Sequence, residues 1–525
     1  MQSYYQFRRL RQEVQEDLNE ARRATISASP SETKETTIDP GLVPGVTVSR
    51  ADEEGDDSPV YVVGWKDNDP SNPLSWSMPK KWLAMTTCCF LGIAFTIPTS
   101  IEGPVQPAFE EHFGVSPMAG SMTTGVFLIG VGVGSLFSGP FSETFGRNIV
   151  YFVSMTVVML FIMGKALAPN FGAALAFRFL CALFAATPMT VAGGTIGDIW
   201  SPLQIPFSLP LVTICAYAGP ILGPVIGAYT PEIGFVWADW ISMIIIGVVL
   251  VFVLIAQPET YSPILLEWRA QHLRELTGDS RYQAQHSSAS SLGSRLLTNV
   301  YRPFVMIWTE PIIIVFTFYL VLLYFVLFTF LNGYTYIFTE PYGISLSLTF
   351  ILWVAMMPGV VVALAMVPVI YHLTNKTAAK AMAEDKPLQP EVSLYWAMAG
   401  ASILMPVSLF WMAWTCYPDI SIWSPIVASS VFGYALVCIF TTTYMYIIFV
   451  YLQYAASALG FMTFARYVVS GALSPASIKM YDNLGPHWSL TIVAIIATFM
   501  APVPYVLHRH GHKVRAMSRN VQNRA

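Results

Sequence analysis

Charged side chains are scarce in this chain. They make up 11% of its 525 residues, whereas soluble globular domains carry about 25%. Hydrophobic residues make up 54%, and the mean hydropathy is +0.54. A soluble protein of this length needs polar residues along the outer face of every helix, and this chain has too few of them. The composition therefore excludes an ordinary soluble protein and predicts a membrane protein.

Features that mark enzymes and cofactor proteins are also absent from the sequence. The six cysteines lie in or beside apolar stretches, and no CxxC or Cys/His group occurs, so we predict neither a disulfide framework nor a metal site. No nucleotide-binding signature of Walker type occurs, which argues against direct drive by ATP. No nucleophile paired with a base stands at membrane depth. We therefore expect no enzyme activity, no cofactor and no nucleic-acid partner.

Residues 1–81 contain no apolar segment, and we therefore predict no cleavable signal peptide. This stretch is rich in Arg, Glu, Ser and Thr. Such a composition predicts a largely disordered tail, within which residues 4–23 could form a charged helix.

Long apolar runs, by contrast, are abundant. Crossing about 30 Å of hydrocarbon takes about 20 mostly apolar residues, and twelve windows of that size occur. They lie near 82–101, 120–140, 149–168, 172–195, 207–229, 235–256, 311–331, 347–371, 392–415, 422–446, 455–478 and 489–508. A polar linker stands between the first six and the last six. The pattern predicts an all-α transporter fold with two six-helix bundles, 82–256 and 311–508.

Lys and Arg residues concentrate on one side of this arrangement. Of the 28, 24 fall in the N-tail, the loop after span 2, the linker 257–310, the loop after span 8 and the C-tail 509–525. The positive-inside rule therefore predicts that both termini are cytoplasmic. Within the linker, one set of apolar residues is spaced for a short amphipathic helix on the cytoplasmic face. These are Ile264, Leu265, Trp268, Leu273 and Leu276.

A Gly-Pro-Phe-Ser-Glu-Thr-Phe-Gly-Arg sequence follows span 2. It begins at Gly139 and contains Glu143, Gly146 and Arg147. Glycines allow a tight turn, and the acid and the arginine can pair with each other and with helix ends, holding the cytoplasmic face closed. The sequence resembles the loop signature of the major facilitator superfamily. That resemblance implies that Asp198, at the cytoplasmic end of span 4, joins the same charge network.

Span 5 repeats small and kinking residues at Gly219, Pro220, Gly223, Pro224 and Gly227. Proline removes a helix hydrogen bond, and small residues let helices approach closely. The segment resembles the signature of the drug:proton antiporter branch of the superfamily. An isolated match would indicate no more than a tight helix crossing, but here it follows the loop motif.

Further segments narrow the resemblance to fungal twelve-span drug:proton antiporters, over roughly residues 64–512. They include Asn-Pro-Leu-Ser-Trp at 72–76, Ala-Pro-Asn at 168–170, Pro-Glu-Thr-Tyr at 258–261 and Pro-Val-Pro-Tyr at 502–505. Phe-Leu-Asn-Gly-Tyr at 330–334 resembles the polyamine-transporter group of that family.

Three departures from the family pattern bear on the substrate. Thr144 replaces the usual second basic residue of the loop, and residues 237–240 replace the family's Trp-Arg-Trp. Residues 446–452 lack the acids that the polyamine-like group carries there. Because amines need anionic partners in a low-dielectric site, the missing acids favour a neutral or weakly charged aromatic substrate. Polyamine export remains the alternative.

Charged residues at membrane depth are few and are therefore functional candidates. They are Glu102, Arg178, Glu340 and Arg466. The resemblance associates Arg178 with proton coupling, and its fixed charge would tune a neighbouring acid rather than carry the proton. The alternative is that Arg178 is a structural partner of backbone carbonyls at a helix break. Glu102 and Glu340 are candidates for the titrating or substrate-binding acid, or are solvated loop acids. We expect Lys165 to reach the membrane interface.

Four residues of spans 7 and 8 are candidates for lining a central cavity: Tyr324, Asn332, Tyr336 and Trp353. The alternative is that they face lipid or pack between helices.

Taken together, the sequence predicts a monomeric plasma-membrane protein that exports a drug, toxin or secondary metabolite in exchange for protons by alternating access. Polyamine:proton antiport and a non-transporting membrane sensor are the competing hypotheses. The C-tail ends about 17 residues after the last span, whereas sensors tend to carry long cytoplasmic extensions.

Overall fold

The computed structural model of the chain describes residues 2–28, 40–49, 59–201, 203–285, 292–384, 389–451 and 455–518. Within these ranges, eleven helices are long and apolar enough to cross a membrane. Spans 1 to 10 are Met78–Thr99, Pro117–Phe145, Arg147–Ala166, Phe171–Ile199, Ile205–Gly227, Trp237–Ala256, Pro311–Asn332, Leu346–Ala383, Pro390–Ala413 and Trp423–Tyr451. The eleventh helix, Ser457–Ala516, is long enough to hold two spans.

The chain reverses direction inside this eleventh helix, at Gly485. The φ of Gly485 is +71°, in the left-handed region that glycine adopts without a steric cost. The Ser489 hydroxyl donates to the carbonyl of Met480 at 3.0 Å, although residues nine apart in a continuous helix are separated by about 13.5 Å. Spans 11 and 12 therefore lie before and after Gly485. The predicted fold of twelve spans in two six-helix bundles is confirmed.

Other elements connect or flank the spans. The helices among them are Gln2–Ala28, Gln106–Phe113, Thr230–Ile233, Ser262–Thr277, Leu292–Thr309 and Glu340–Tyr342. The strands are Val46–Ser49, Val60–Val63 and Tyr282–Ala284. We call the side of the helix bundle on which span 2 ends and span 3 begins the loop side, and the opposite side the far side.

Span 2 crosses span 11 where two glycines face each other. A β-carbon on Gly125 would lie 2.7 Å from the Gly471 carbonyl oxygen, and one on Gly471 would lie 2.6 Å from the Gly125 oxygen. The two backbones are therefore in direct contact, as small residues permit between membrane helices. Because Gly125 lies in the first third of span 2, this contact closes the two halves together towards the far side.

The N-terminal tail differs from the expected disorder. Gln2–Ala28 is helical and packs on the linker helix Ser262–Thr277. Val46–Ser49 pairs antiparallel with Val60–Val63, which pairs in parallel with Tyr282–Ala284 of the linker. Apolar residues from the tail and the linker form one small core. The linker segment is helical as predicted, but its residues Leu266, Ala270 and Leu273 pack against the tail. Residues 29–39 and 50–58 of the tail lie outside the described ranges.

Arg269 of the linker helix fixes the tail to the linker. Its guanidinium donates to Asp17 and to Asp69, each at 2.9 Å, and to the carbonyl of Pro44 at 3.1 Å. Lys66 also pairs with Asp17. The tail folds because its partners come from about 200 residues further along the chain, and composition alone carries no sign of such distant partners.

Candidate functional site

Arg147 is the centre of a cluster on the loop side. Its Nε lies 3.0 Å from Asp198 Oδ2, and its Nη1 donates to Ser142 Oγ at 2.5 Å. Its guanidinium also stands 4.7 Å from the ring centre of Tyr261. The predicted charge network between the loop and Asp198 is thus present. Glu143 lies half-buried nearby and lines the central cavity.

Glu259, which follows span 6, completes this loop cluster and caps span 3. Its carboxylate accepts the backbone N–H of Arg147 at 3.0 Å and of Asn148 at 3.1 Å. A carboxylate at a helix N-terminus satisfies donors that have no partner within the helix and complements the helix dipole. Burial raises the pKa of Glu259, and the backbone N–H donors oppose that rise. Gln6 of the tail helix bonds both the N–H and the carbonyl of Glu259.

The contacts described for Arg147 all lie within the first half and the linker. They join spans 2, 3 and 4 and the segment after span 6 into one unit. This differs from the expectation that the motif itself holds the cytoplasmic face closed. Sequence reasoning noticed Glu259 only as part of a family-like segment, and its capping role depends on the position of a helix end 112 residues earlier in the chain.

Four buried charges form a second cluster at the far side, which we call the charged quartet. Lys165 Nζ lies 2.5 Å from Glu102 Oε1 and 2.9 Å from Asp239 Oδ1. Arg178 Nη1 lies 2.9 Å from the same Glu102 oxygen, and its Nη2 donates to the carbonyl of Pro98 at 2.5 Å. Glu102 is therefore held between two cations, and the quartet carries no net charge.

Lys165 was expected at the membrane interface, but only 9% of it is exposed. It stays inside because two carboxylates compensate its charge, which removes the reason for the side chain to reach water. The sequence draws attention to Asp239 only because residues 237–240 depart from the family's Trp-Arg-Trp. The quartet brings together the ends or beginnings of spans 1, 3, 4 and 6, and no local sequence pattern signals such a meeting.

The glycines of the span 5 motif pack directly on span 1. A β-carbon on Gly219 would lie 1.8 Å from Thr96 Oγ1, and one on Gly223 would lie 2.3 Å from Ser100 Oγ. The same two hydroxyls lie beside backbone carbonyls that the prolines of the motif leave without an N–H donor. Pro220 and Pro224 have no N–H to donate to the carbonyls four residues earlier, at 216 and 220.

Two hydroxyls at the end of span 1 lie within hydrogen-bond distance of those carbonyls. Thr96 Oγ1 lies 2.9 Å from the Ala216 carbonyl, and Ser100 Oγ lies 2.8 Å from the Pro220 carbonyl. A carbonyl freed by proline inside a membrane needs such a partner, because no water is available there. Spans 1 and 5 are thus in direct contact at the prolines of the motif.

We expect Ser100→Ala to lower the free energy of unfolding by about 1–3 kcal/mol, because it leaves the Pro220 carbonyl without its side-chain donor. The measurement is thermal unfolding of the purified protein in detergent. Ser408→Ala is the matched control, since within the described ranges the buried Ser408 hydroxyl bonds only the Met405 carbonyl of its own turn. Equal stability losses in the two variants would contradict the role given to Ser100.

A cavity of about 480 Å³ lies between the two halves. Spans 1, 2, 4 and 5 line it from the first half, and spans 7, 10 and 11 from the second. It extends to the loop side, where Glu143, Arg147 and Arg302 belong to its wall. Of the residues predicted to bind substrate or couple protons, Tyr324 and Arg466 line the cavity. Its volume is within the range of small-molecule sites.

The other candidates of the second half stand elsewhere. Asn332 donates to Ser477 Oγ at 2.8 Å, and the Tyr336 hydroxyl donates to Asp482 at 2.7 Å. Trp353 is buried among aromatic rings, and Glu340 is exposed. Asn332 and Tyr336 miss the cavity because they lie at or beyond the far end of span 7. Trp353 contributes to packing between helices, which was the stated alternative.

Comparison with known proteins agrees with this architecture. The model of the Major Facilitator Superfamily matches residues 88–475. The MFS-type transporter kojT of Aspergillus flavus is 42% identical over 482 residues, which cover 90% of this chain and 85% of that protein. The MFS-type transporter acdC of Aspergillus candidus is 30% identical over 492 residues, covering 92% and 96%.

A solved structure supports the fold alone. The crystal structure of the human organic anion transporter MFSD10 (TETRAN) superposes with a TM-score of 0.55 at 14% identity, covering 81% of this chain and 99% of that one. The family match and the fungal relatives establish that the chain belongs to the Major Facilitator Superfamily and is a membrane transporter.

Proposed function

We propose that the protein exports a small organic molecule in exchange for protons by alternating access. The cavity between the halves is the transport site. The observation that carries the proposal is Glu102, a buried carboxylate held between Lys165 and Arg178 at the far side. Such a group is costly to keep inside a membrane protein and marks proton pathways in transporters.

The quartet links protonation to movement through its charge balance. Burial raises the pKa of Glu102, but Arg178 and Lys165 lower it and hold it below its ordinary value in this arrangement. Glu102 therefore takes up a proton as the quartet opens, and protonation leaves Lys165 and Arg178 with Asp239 as the remaining carboxylate. The two cations then repel each other in a poorly screened environment. This repulsion loosens the far side of the first half and favours opening there, whereas release of the proton restores the compact arrangement described above.

The test is transport in membrane vesicles with an imposed pH gradient. The substrate for the assay is chosen first, from the drugs and metabolites that a strain lacking the gene retains. We expect export to fall at least about tenfold when the gradient is collapsed, since a tenfold change corresponds to only about 1.4 kcal/mol of driving free energy. Export that continues unchanged without the gradient would mean that proton coupling is wrong.

Polyamine export is a weaker hypothesis than export of a neutral or weakly charged compound. Residues 446–452 hold no acid, and Arg466 places a fixed positive charge in the cavity wall. A polycation would meet this charge on entering. If the protein is a non-transporting sensor, the deletion strain retains no compound and the protein moves none in vesicles. The same experiments therefore separate a sensor from an exporter.

The distribution of Lys and Arg supports a cytoplasmic position for both termini and for the loop cluster. On that assignment the cavity described here opens to the cytoplasm, as an exporter requires for loading. We further place the protein in the plasma membrane as a monomer. Protease accessibility of the N-tail in sealed, right-side-out cells checks the orientation, and cleavage without lysis would reverse it.

A further inference from the structure

Arg466 of span 11 is a basic residue in the wall of the cavity. Its exposed fraction is 2%, and its guanidinium lies over four aromatic rings. The distances from its Cζ to the ring centres are 4.6 Å for Tyr324, 4.7 Å for Phe440, 4.9 Å for Tyr467 and 5.3 Å for Tyr444. Among the described residues, no hydrogen-bond acceptor is in reach of its Nε or Nη1.

The other buried arginines of the described residues are compensated differently. Arg147, Arg178 and Arg269 each form an ion pair with at least one carboxylate, as does Lys165, and the buried Lys81 donates to the carbonyl of Leu74. In the part of the chain that the structure describes, Arg466 forms no ion pair and rests on ring faces. The ring faces offset part of the charge, but a desolvated guanidinium with unused N–H donors favours an added acceptor.

The shape of this environment defines what such an acceptor looks like. A guanidinium presents its donors in a planar fork that matches two oxygens of one oxyanion. Rings on several sides of it offer surfaces against which a flat molecule stacks. The Tyr444 hydroxyl lies 3.0 Å from Thr463 Oγ1, which adds a polar edge at the cavity wall. A small planar oxyanion meets all three features.

We propose that Arg466 recognises the transported compound and that this compound is a small planar organic acid, bound through its oxyanion to the guanidinium and through its flat face to the surrounding rings. The proposal rests on the proposed export function, because it names the substrate class of the same cavity. It also separates the competing substrates, since a planar anion gains a partner at Arg466 and a polyamine meets repulsion.

The test uses three probes of one shape and different charge: benzoate, benzamide and benzamidine. Binding to the purified full-length protein in detergent is measured by titration calorimetry, without any gradient. We expect benzoate to bind at least about tenfold more tightly than benzamidine, with benzamide between them. Because no gradient is present, the result is independent of whether proton coupling is correct.

Two variants assign the preference to Arg466. Arg466→Gln removes the charge and is expected to abolish the preference for benzoate. Arg466→Lys keeps the charge without the planar fork, and is expected to keep the preference with weaker binding. If the glutamine variant does not fold, as judged by gel filtration, the lysine variant decides. Tighter binding of benzamidine, a preference for benzoate that persists in Arg466→Gln, an affinity for benzoate that is unchanged in Arg466→Lys, or no binding of any probe would overturn the proposal.

Discussion

Replacing Glu102 with glutamine is expected to reduce gradient-driven export at least about tenfold, while substrate binding in detergent stays close to that of the unmodified protein. Glutamine has the size of glutamate but holds no charge to titrate. The variant therefore resembles a permanently protonated quartet, with Lys165 and Arg178 sharing Asp239. Breaking a buried ion pair typically costs about 3–5 kcal/mol, which exceeds what a tenfold loss requires. The measurement is export in vesicles with and without the pH gradient.

Asp239→Asn is the matched control for Glu102→Gln. It removes the same charge from the same quartet, but Asp239 contacts only Lys165 of the two cations. If Glu102 carries the proton, Asp239→Asn lowers thermal stability and still exports in a gradient-dependent way. Loss of gradient dependence in both variants would assign the effect to charge balance alone. Gradient-driven export that survives in Glu102→Gln would remove Glu102 from the coupling mechanism.

The fold was predictable from the sequence because its main signals are local. Each span is a continuous apolar run, and most Lys and Arg residues fall outside these runs. The tail was mispredicted for the opposite reason. Its buried side chains, such as Val14 and Leu18, find their partners in the linker helix, and composition registers only that the surrounding residues are polar. The reversal near Gly485 could be predicted because a gap separates the last two apolar windows, 455–478 and 489–508.

The site was predictable only where a residue is unusual by itself. A charge inside an apolar run draws attention alone, and Glu102, Arg178 and Arg466 were found in this way. Lys165 and Asp239 stand near helix ends, where charges are common, and their pairing depends on which spans are neighbours. Thr96 and Ser100 carry no signal at all, because their role is defined by prolines on another span.

The span 1 hydroxyls connect the two ends of the proposed mechanism. Ser100 lines the cavity and bonds span 5, and Glu102 follows two residues later in the quartet. Loosening of the quartet therefore acts on a helix that is joined to span 5, which lines the cavity as well. We infer that protonation reaches the transport site by moving spans 1 and 5 as one body.

Arg147→Ala is expected to lower export at least about tenfold and to lower the thermal midpoint clearly. The substitution leaves Asp198 buried without its cation, at a typical cost of about 3–5 kcal/mol. It also releases Ser142 and the ring of Tyr261, so spans 2, 3 and 4 no longer move as a unit with the linker. Arg147→Lys keeps the charge but loses the planar fork, and is expected to give intermediate export. Export is measured in gradient-driven vesicles, and stability by thermal unfolding.

Arg269→Ala separates gating from stability in that experiment. Arg269 is equally buried and pairs with two aspartates, Asp17 and Asp69, but it lies in the tail and linker core rather than in the loop cluster. Its loss removes a comparable ion pair and is expected to loosen the tail while most export remains. If Arg269→Ala reduced export as strongly as Arg147→Ala, general destabilisation would explain both. If Arg147→Ala exported normally, the loop cluster would have no part in transport, and the family-like motif at 139–147 would be a packing device alone.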